Sequence, residues 1–136
     1  MASTLKLEIV TPDDVVYFED VHMVTLPAVD GQIGIFPHHT PLLTRLAPGE
    51  MIVRKDGREW FLAVGDGLVQ VTGDHVAILT DMAVPADKID EARAEEARAR
   101  AAARLRDKIS DEEVASVTAT LAHSLAQLKV KRRRHG

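Results

Sequence analysis

A chain of 136 residues has room for one ordinary domain, or a small domain with an appendage. It is 46% apolar but only 4% aromatic and has no cysteine, so its core is aliphatic and disulfides, thiolate zinc sites and cysteine nucleophiles are excluded. The net charge of −4 conceals a split: residues 1–86 carry 12 acidic and 5 basic side chains, residues 87–136 carry 9 and 12. That asymmetry predicts two units in different surroundings, although exposed ion pairs worth about 0–1 kcal/mol each would not hold them together. No apolar run reaches the roughly 18 residues of a membrane span. The opening MASTLKLEIVTP has neither the apolar core of a secretory signal nor the arginine-rich face of a transit peptide. Work at a membrane is therefore expected to go through a partner, without direct insertion.

In chain order, the pattern is β up to about Val84. Leu5, Leu7 and Ile9 alternate with Lys6 and Glu8, the period-two mark of a half-buried strand that ends at Thr11-Pro12. Val15 to Phe18 and Val21 to Leu26 read as further strands, with Pro27 closing the second run. Asp30-Gly31 marks a turn, Gly34 weakens and bends the next run, and Pro37 and Pro41 bracket His38 and His39. Met51 to Arg54 and Glu59 to Val64 flank Lys55-Asp56-Gly57-Arg58, where Asp-Gly suits a tight primed turn. Leu68 to Val71 and His75 to Thr80 form a second hairpin around Gly73-Asp74. Many short strands with turn residues between them predict a sandwich or flattened barrel.

After Pro85 the composition changes. Residues 87–108 contain no glycine or proline, and alanine, glutamate and arginine favour helix residue by residue. Glu91 with Glu95 and Arg100 with Arg104 mark outward faces, while Ile89, Ala92, Leu105 and Ile109 are the inward candidates. Ser110 with Glu113 has capping-box spacing and predicts the start of a second helix. Val114, Val117, Leu121, Leu125 and Leu128 then repeat at i+3 and i+4 as an apolar stripe. A connection of roughly three residues would lay the helices antiparallel. The fold class is thus α+β: a β-sandwich of short antiparallel strands over 1–84, a linker at 85–88, and an antiparallel two-helix hairpin with a basic tail over 89–136. Little apolar area is available to the alanine-rich hairpin, which reads as marginal alone and easily displaced.

Catalytic chemistry finds no support. His38 and His39 are adjacent on an extended segment, point to opposite sides and cannot readily chelate one ion. Asp13-Asp14 and Glu19-Asp20 sit beside turns and read as solvated turn formers. Gly65-Asp66-Gly67 lacks the Gly-Lys-Ser/Thr and the helix start that make a phosphate loop. A turn-rich segment from 24 to 53, poor in nucleophiles and paired carboxylates, suggests a docking surface. Lys129, Lys131, Arg132, Arg133 and Arg134 form the strongest charge feature, either a solvated helix end that complements the dipole or an attraction to an acidic surface. Nucleic acid is disfavoured as that surface, since no aromatic stacking platform interleaves the cations and the preceding unit is acidic.

The wording of several segments resembles the epsilon subunits of bacterial F-type rotary ATP synthases. Leu26-Pro27, Gly31 to Ile35, Pro37 to Thr44 and Gly49 stand in that family's order, followed by Val64-Gly65-Asp66-Gly67-Leu68-Val69-Gln70-Val71 and Val76 to Asp81. Asp66 departs from it where a second consecutive glycine is common. Ile89-Asp90-Glu91-Ala92-Arg93-Ala94 is similar to the family's first-helix pattern Ile/Leu-Asp-x-x-Arg-Ala, and 121–130 to the end of its second helix. The resemblance implies a non-catalytic central-stalk subunit, peripheral on the cytoplasmic side of the bacterial inner membrane. It implies docking on the gamma subunit and the c-ring, coupling of proton transport to ATP synthesis, and a hairpin that can enter the alpha–beta head and inhibit hydrolysis. Asp30, His38 and His39 are the docking candidates, and the basic tail is the candidate for an acidic loop of beta. No cofactor is required. Some members bind ATP on the hairpin, and Ile89, Asp90, Arg93, Ala94 and Arg100 fit the first-helix part of that site. His123 and Gln127 fall where second-helix basic residues would lie, so binding is expected to be weak, with Asp90 and Arg93 acting as cap and brace instead.

Overall fold

The computed structural model describes residues 3–135, with the side chains of Arg134 and His135 outside the described set. Among the described residues, ten strands run β1 Leu5–Val10, β2 Val15–Val21, β3 Met23–Ala28, β4 Gly31–Ile35, β5 Leu42–Leu46, β6 Gly49–Lys55, β7 Arg58–Val64, β8 Gly67–Thr72, β9 His75–Thr80 and β10 Ala83–Pro85. A 3-10 turn, Ala86–Lys88, leads to helices α1 Glu91–Arg104 and α2 Asp111–His135. The strands hydrogen-bond in the order β10-β7-β6-β3-β5-β8-β9-β1-β2, with β4 added to β3. Only the Ala28–Leu46 pair joins β3 to β5, so the sheet folds there into the two layers of a sandwich. Lys55 Nζ at the end of β6 reaches Glu19 Oε1 on β2 at 2.6 Å and ties the two layers together across the open side.

Alternation decides what is inside. Leu5, Leu7 and Ile9 are buried on one face of β1, and Val24, Leu26, Leu62, Val64, Val76 and Ile78 meet them. The Asp56-Gly57 turn has φ of 53° and 74°, the left-handed pair that a two-residue primed hairpin needs. β7 follows β6 through it in unbroken register from Lys55–Arg58 to Gly49–Val64.

Three features of the strands and connections differ from the sequence reading. The ladder between β1 and β9 is parallel, an exception among antiparallel pairs that local pattern does not reveal. Pro27 lies inside β3 instead of ending it. It sits where β3 changes partner from β6 at Thr25 to β5 at Ala28, so no ladder bond needs its missing N–H, and its carbonyl accepts from Ala47 at 2.8 Å. The helices are joined by residues 105–110, longer than the expected three, because α1 stops at Arg104.

The second helix begins as its cap predicts, with the Glu113 N–H donating to Ser110 Oγ at 3.2 Å. Its buried face follows the expected stripe only in part: Leu128 is buried and Val117 and Leu121 are half-buried, but two members of the stripe lie outside. Leu125 is 49% exposed and Val114 39%, whereas Ser124, Ala126, Leu128 and Val130 are buried. α2 answers to two surfaces, α1 and the sandwich, so its inward face is wider than one stripe. Ala126 and Val130 pack with Ala63 of β7 and Ile89 in a second core, flanked by Phe61, Met82, Val84 and Ala86. On α1 the buried positions are Ala94 and Ala101, and Ala92 is exposed.

Candidate functional site

Strand register gathers the loops into two ends. One end holds the turns at 11–14, 29–30, 47–48, 65–66 and 81–82, because Val10 pairs with Leu79, Gly67 with Thr80, Leu46 with Gly67 and Ala28 with Leu46. It carries Asp13, Asp14, Asp30, Asp66 and Asp81, all exposed. Arg45 Nη2 lies 3.7 Å from Asp66 and is a basic neighbour of these carboxylates within the sandwich. His38 and His39 belong to the opposite end. There the His38 N–H donates to Asp74 Oδ1 at 2.8 Å, and φ at His38 is 66°, so this residue shapes a tight loop against the β8–β9 turn. His39 Nδ1 lies 2.6 Å from the carbonyl of Thr40. Asp30 and the two histidines are therefore not brought together: β4, five residues and about 17 Å long, separates them.

A surface that the sequence reading missed lies on the outer face of β5-β8-β9-β1-β2. Register aligns Arg45, Leu68, Leu79, Val10 and Val15 in one row across the five strands, and Leu43, Gln70, Ala77, Glu8 and Phe18 in the next. Leu43 is 70% exposed, and Val15, Phe18, Leu68 and Leu79 are about half exposed. Lys6 Nζ lies 4.9 Å above the Phe18 ring at one edge. Aligned apolar side chains open to solvent mark an interaction surface. The available signal was the adjacent apolar pairs Leu68-Val69 and Ile78-Leu79, where one face of a solvated sheet would carry polar residues.

The hairpin is held down by polar contacts around a small apolar seat. Arg133 Nη1 donates to Glu50 Oε1 on β6 at 3.1 Å, Lys131 Nζ to the carbonyl of Ala86 at 3.3 Å, and Gln127 Nε2 to Met82 Sδ at 3.2 Å. Within the hairpin, Arg132 Nε bonds Glu91 Oε1 at 2.9 Å and its Nη2 bonds Glu95 Oε2 at 3.2 Å. Arg104 Nε bonds Glu113 Oε2 at 2.7 Å at the other end. Glu91 and Glu95 thus face the second helix, where an outward face was expected. Hydrogen bonds from Arg98 and then Arg132 hold the Glu95 carboxyl below its ordinary range. Of the basic tail, Lys131, Arg132 and Arg133 are engaged within the chain, Lys129 is exposed, and the Arg134 side chain lies outside the described residues.

Asp90 is the N-cap of α1, its Oδ1 accepting from the Arg93 N–H at 3.1 Å. Ile89 and Ala94 are buried, while Arg93 and Arg100 project into solvent. Arg100 stands at the lip of an apolar groove of about 540 Å³ between the helices, with Ala97, Ala101, Val117 and Thr120 on its walls. His123 and Gln127 turn to the sandwich, toward Asp81 and Met82. Among the described residues no group of histidines and carboxylates could hold a metal ion, and no helix is long and apolar enough to cross a membrane.

A β-sandwich with an exposed apolar face, and a helical hairpin seated on it by a small apolar patch and a few polar contacts, has the architecture of an assembly subunit. Residues 4–86 match the family described as ATP synthase, Delta/Epsilon chain, beta-sandwich domain, and residues 87–132 match its long alpha-helix domain. An ATP synthase epsilon chain of Herpetosiphon aurantiacus is 43% identical over 130 residues, covering 96% of each chain. One from Halorhodospira halophila is 43% identical, covering 93% of this chain and 92% of its own. The fold is shared with a chain of the Euglena gracilis mitochondrial ATP synthase structure (OSCP/F1/c-ring), with a TM-score of 0.75, 22% identity, and coverage of 90% of this chain and 78% of that one. The chain belongs to the ATP synthase epsilon-chain family, and is accordingly a stalk and regulatory subunit, not a catalytic one.

Proposed function

We propose that the chain is a rotor subunit of a proton-transporting F-type ATP synthase, peripheral on the cytoplasmic face of a bacterial inner membrane. The exposed row Val15, Leu79 and Leu68, with Phe18 and Leu43 beside it, carries this reading. Such a face suits a stable protein partner, here the gamma shaft, whereas the aspartate-lined end around Asp30 suits basic loops of a c-ring. Turning with both, the sandwich couples ring rotation to synthesis in the alpha–beta head. Leu79→Glu, on the outer face, is expected to abolish co-purification with gamma while leaving the sandwich folded. Retained co-purification would remove that face from the interface. Asp30→Arg is expected to weaken rotor assembly chiefly at low salt, as rim charges do. The loop at His38 and His39 lies on the opposite end, and its part in seating gamma is tested separately by substituting both histidines.

The hairpin supplies inhibition of hydrolysis when it leaves the sandwich for the head. Lys131 and Arg133 would then exchange Ala86 and Glu50 for acidic groups on beta, Arg132 would exchange Glu91 and Glu95 once the two helices part, and Lys129 and Arg134 would join them. Ending the chain at Ala86 is expected to preserve coupled synthesis and to remove inhibition. Loss of synthesis would overturn the regulatory assignment. ATP sensing on the hairpin is proposed as weak and carried by Arg93 and Arg100, two turns apart on α1, with Ile89, Asp90 and Ala94 in the surrounding turn. Calorimetric titration against Arg93→Ala, Arg100→Ala decides it, since tight binding that survives both substitutions is incompatible with this site.

A further inference from the structure

Met82 stands between β9 and β10, where the sandwich gives way to the linker, and it is the methionine that meets the hairpin. Of the other described methionines, Met51 is enclosed in the sandwich core and Met23 of β3 lies against Gly34 of β4. The Met82 side chain packs on the second core of Ala63, Ile89, Ala126 and Val130, the last two of which belong to α2. Its Sδ accepts from Gln127 Nε2 of the same helix at 3.2 Å. One thioether thus supplies both kinds of contact that seat α2, apolar packing and a hydrogen bond.

The backbone beneath that side chain is fixed. The Met82 carbonyl accepts from the Gly65 N–H at 2.9 Å and lies 3.1 Å from Oγ1 of the buried Thr80, to which the Met82 N–H donates at 3.4 Å. A change in the shape or polarity of the thioether is therefore passed to α2 and not absorbed by the strand ends. Met82 is also half-buried, which leaves a small oxidant a route to its sulfur, whereas Met51 is wholly enclosed.

We propose that Met82 is a site of oxidation by hydrogen peroxide and that its sulfoxide loosens the hairpin from the sandwich. This rests on the reading of the hairpin as a movable arm. The sulfur lone pair attacks one peroxide oxygen, so an S–O bond forms as the O–O bond breaks. The attacked oxygen gives its proton to the departing hydroxide, which leaves as water, and the sulfur is oxidised by the two electrons that reduce the peroxide. On the side of Gln127 the new oxygen stands inside the 3.2 Å contact and pushes α2 away. On the side of Ala126 and Val130 it is a polar group in an apolar seat. Either placement disfavours docking, and a thiol-dependent sulfoxide reductase would restore it.

The absence of native cysteine permits a direct test on the full chain. Thr72→Cys on β8 and Ala115→Cys on α2, both exposed, take a spin-label pair whose distance distribution separates docked from released hairpin. The labelled protein is treated with hydrogen peroxide, and peptide mass spectrometry reports oxidation at each methionine. With residue 82 oxidised, the docked-to-released ratio is expected to fall about fivefold. Met82→Leu, apolar and of similar size, should keep a high ratio with or without peroxide. Met82→Gln should show the low ratio without peroxide, and Met23→Leu should respond as the unsubstituted protein does. A Met82 that stays reduced while Met23 is oxidised, an unchanged or higher ratio once Met82 is oxidised, or the same fall in Met82→Leu overturns the oxidation switch while leaving the movable arm intact. A single docked population under every condition, including a Val130→Ser background that removes part of the seat, overturns the movable arm and the switch with it.

Discussion

The sandwich and the hairpin spend their side chains differently. In the sandwich, Leu7, Ile9, Leu26 and Ile78 are wholly enclosed, and each large residue interlocks with partners from distant strands. Between hairpin and sandwich the enclosed residues are Ala63, Ile89, Ala126 and Val130, two of them alanine, and much of the rest of the grip is the Arg133–Glu50 ion pair with a few hydrogen bonds. Apolar burial scales with area at about 25 cal/mol per Å², and the two alanines bring little of it. The first arrangement resists opening as a unit. The second can be undone without touching the first.

The strongest way to break that comparison is to substitute an enclosed leucine on each side. Leu26→Ala is expected to cost about 2–5 kcal/mol and to lower the urea midpoint of the sandwich. Leu128→Ala should strip exchange protection from α2 amides while shifting that midpoint by no more than about 0.5 kcal/mol. Equal losses would mean that the two units fold as one.

A second test uses the chain's single tyrosine. Burial, with Glu19 beside it, pushes the Tyr17 phenol up to about 12 from 10.0. An acid whose folded value is raised stabilises the fold below its unfolded value. Stability should therefore be intact below about pH 10 and decline as pH climbs from there toward 12. Tyr17 lines a groove with Trp60, Phe61 and Pro85, all at or before the linker. A chain ended after Lys88 should accordingly keep the same ultraviolet titration midpoint. A fall toward 10 would show that the helices shield the sandwich seam.

A smaller effect is expected at the joint. Asp90→Ala removes the cap of α1 and should cost the hairpin about 1 kcal/mol, seen as lower helical ellipticity with the sandwich midpoint unmoved. Smaller still, Arg132→Ala should weaken the hairpin slightly, an effect that added salt erases. A larger loss in high salt would show that Arg132 contributes packing rather than charge.

Local signals made parts of this structure legible. Asp56-Gly57 announces its hairpin because few residues tolerate φ above zero, and Ser110 with Glu113 announces a helix start because two orphan amides need acceptors. The period-two run from Leu5 to Ile9 named its own buried face correctly. What stayed hidden depends on distant partners. Nothing local tells that Leu79 and Val10 become neighbours, so the apolar row across five strands emerges only from the register. Likewise α2 reads as a leucine stripe until the sandwich takes Ala126 and Val130, which leaves Leu125 outside. His123 and Asp81, 42 positions apart, are each unremarkable until Gly65 brings them together.

The parallel ladder between β1 and β9 also dictates a timetable. β1 is flanked by β2, which follows it at once, and by β9, which begins at His75. A two-stranded ribbon alone is marginal in water. During synthesis the opening ribbon must therefore wait about 70 residues for its second neighbour, roughly 4–14 s at ordinary elongation rates. Its alternating Leu5, Leu7 and Ile9 are uncovered in that interval and are the segment that a nascent-chain chaperone would meet first. Once β9 arrives the layer can close, while α1 and α2 are still to be made. The sandwich would thus stand as a finished platform before either helix exists.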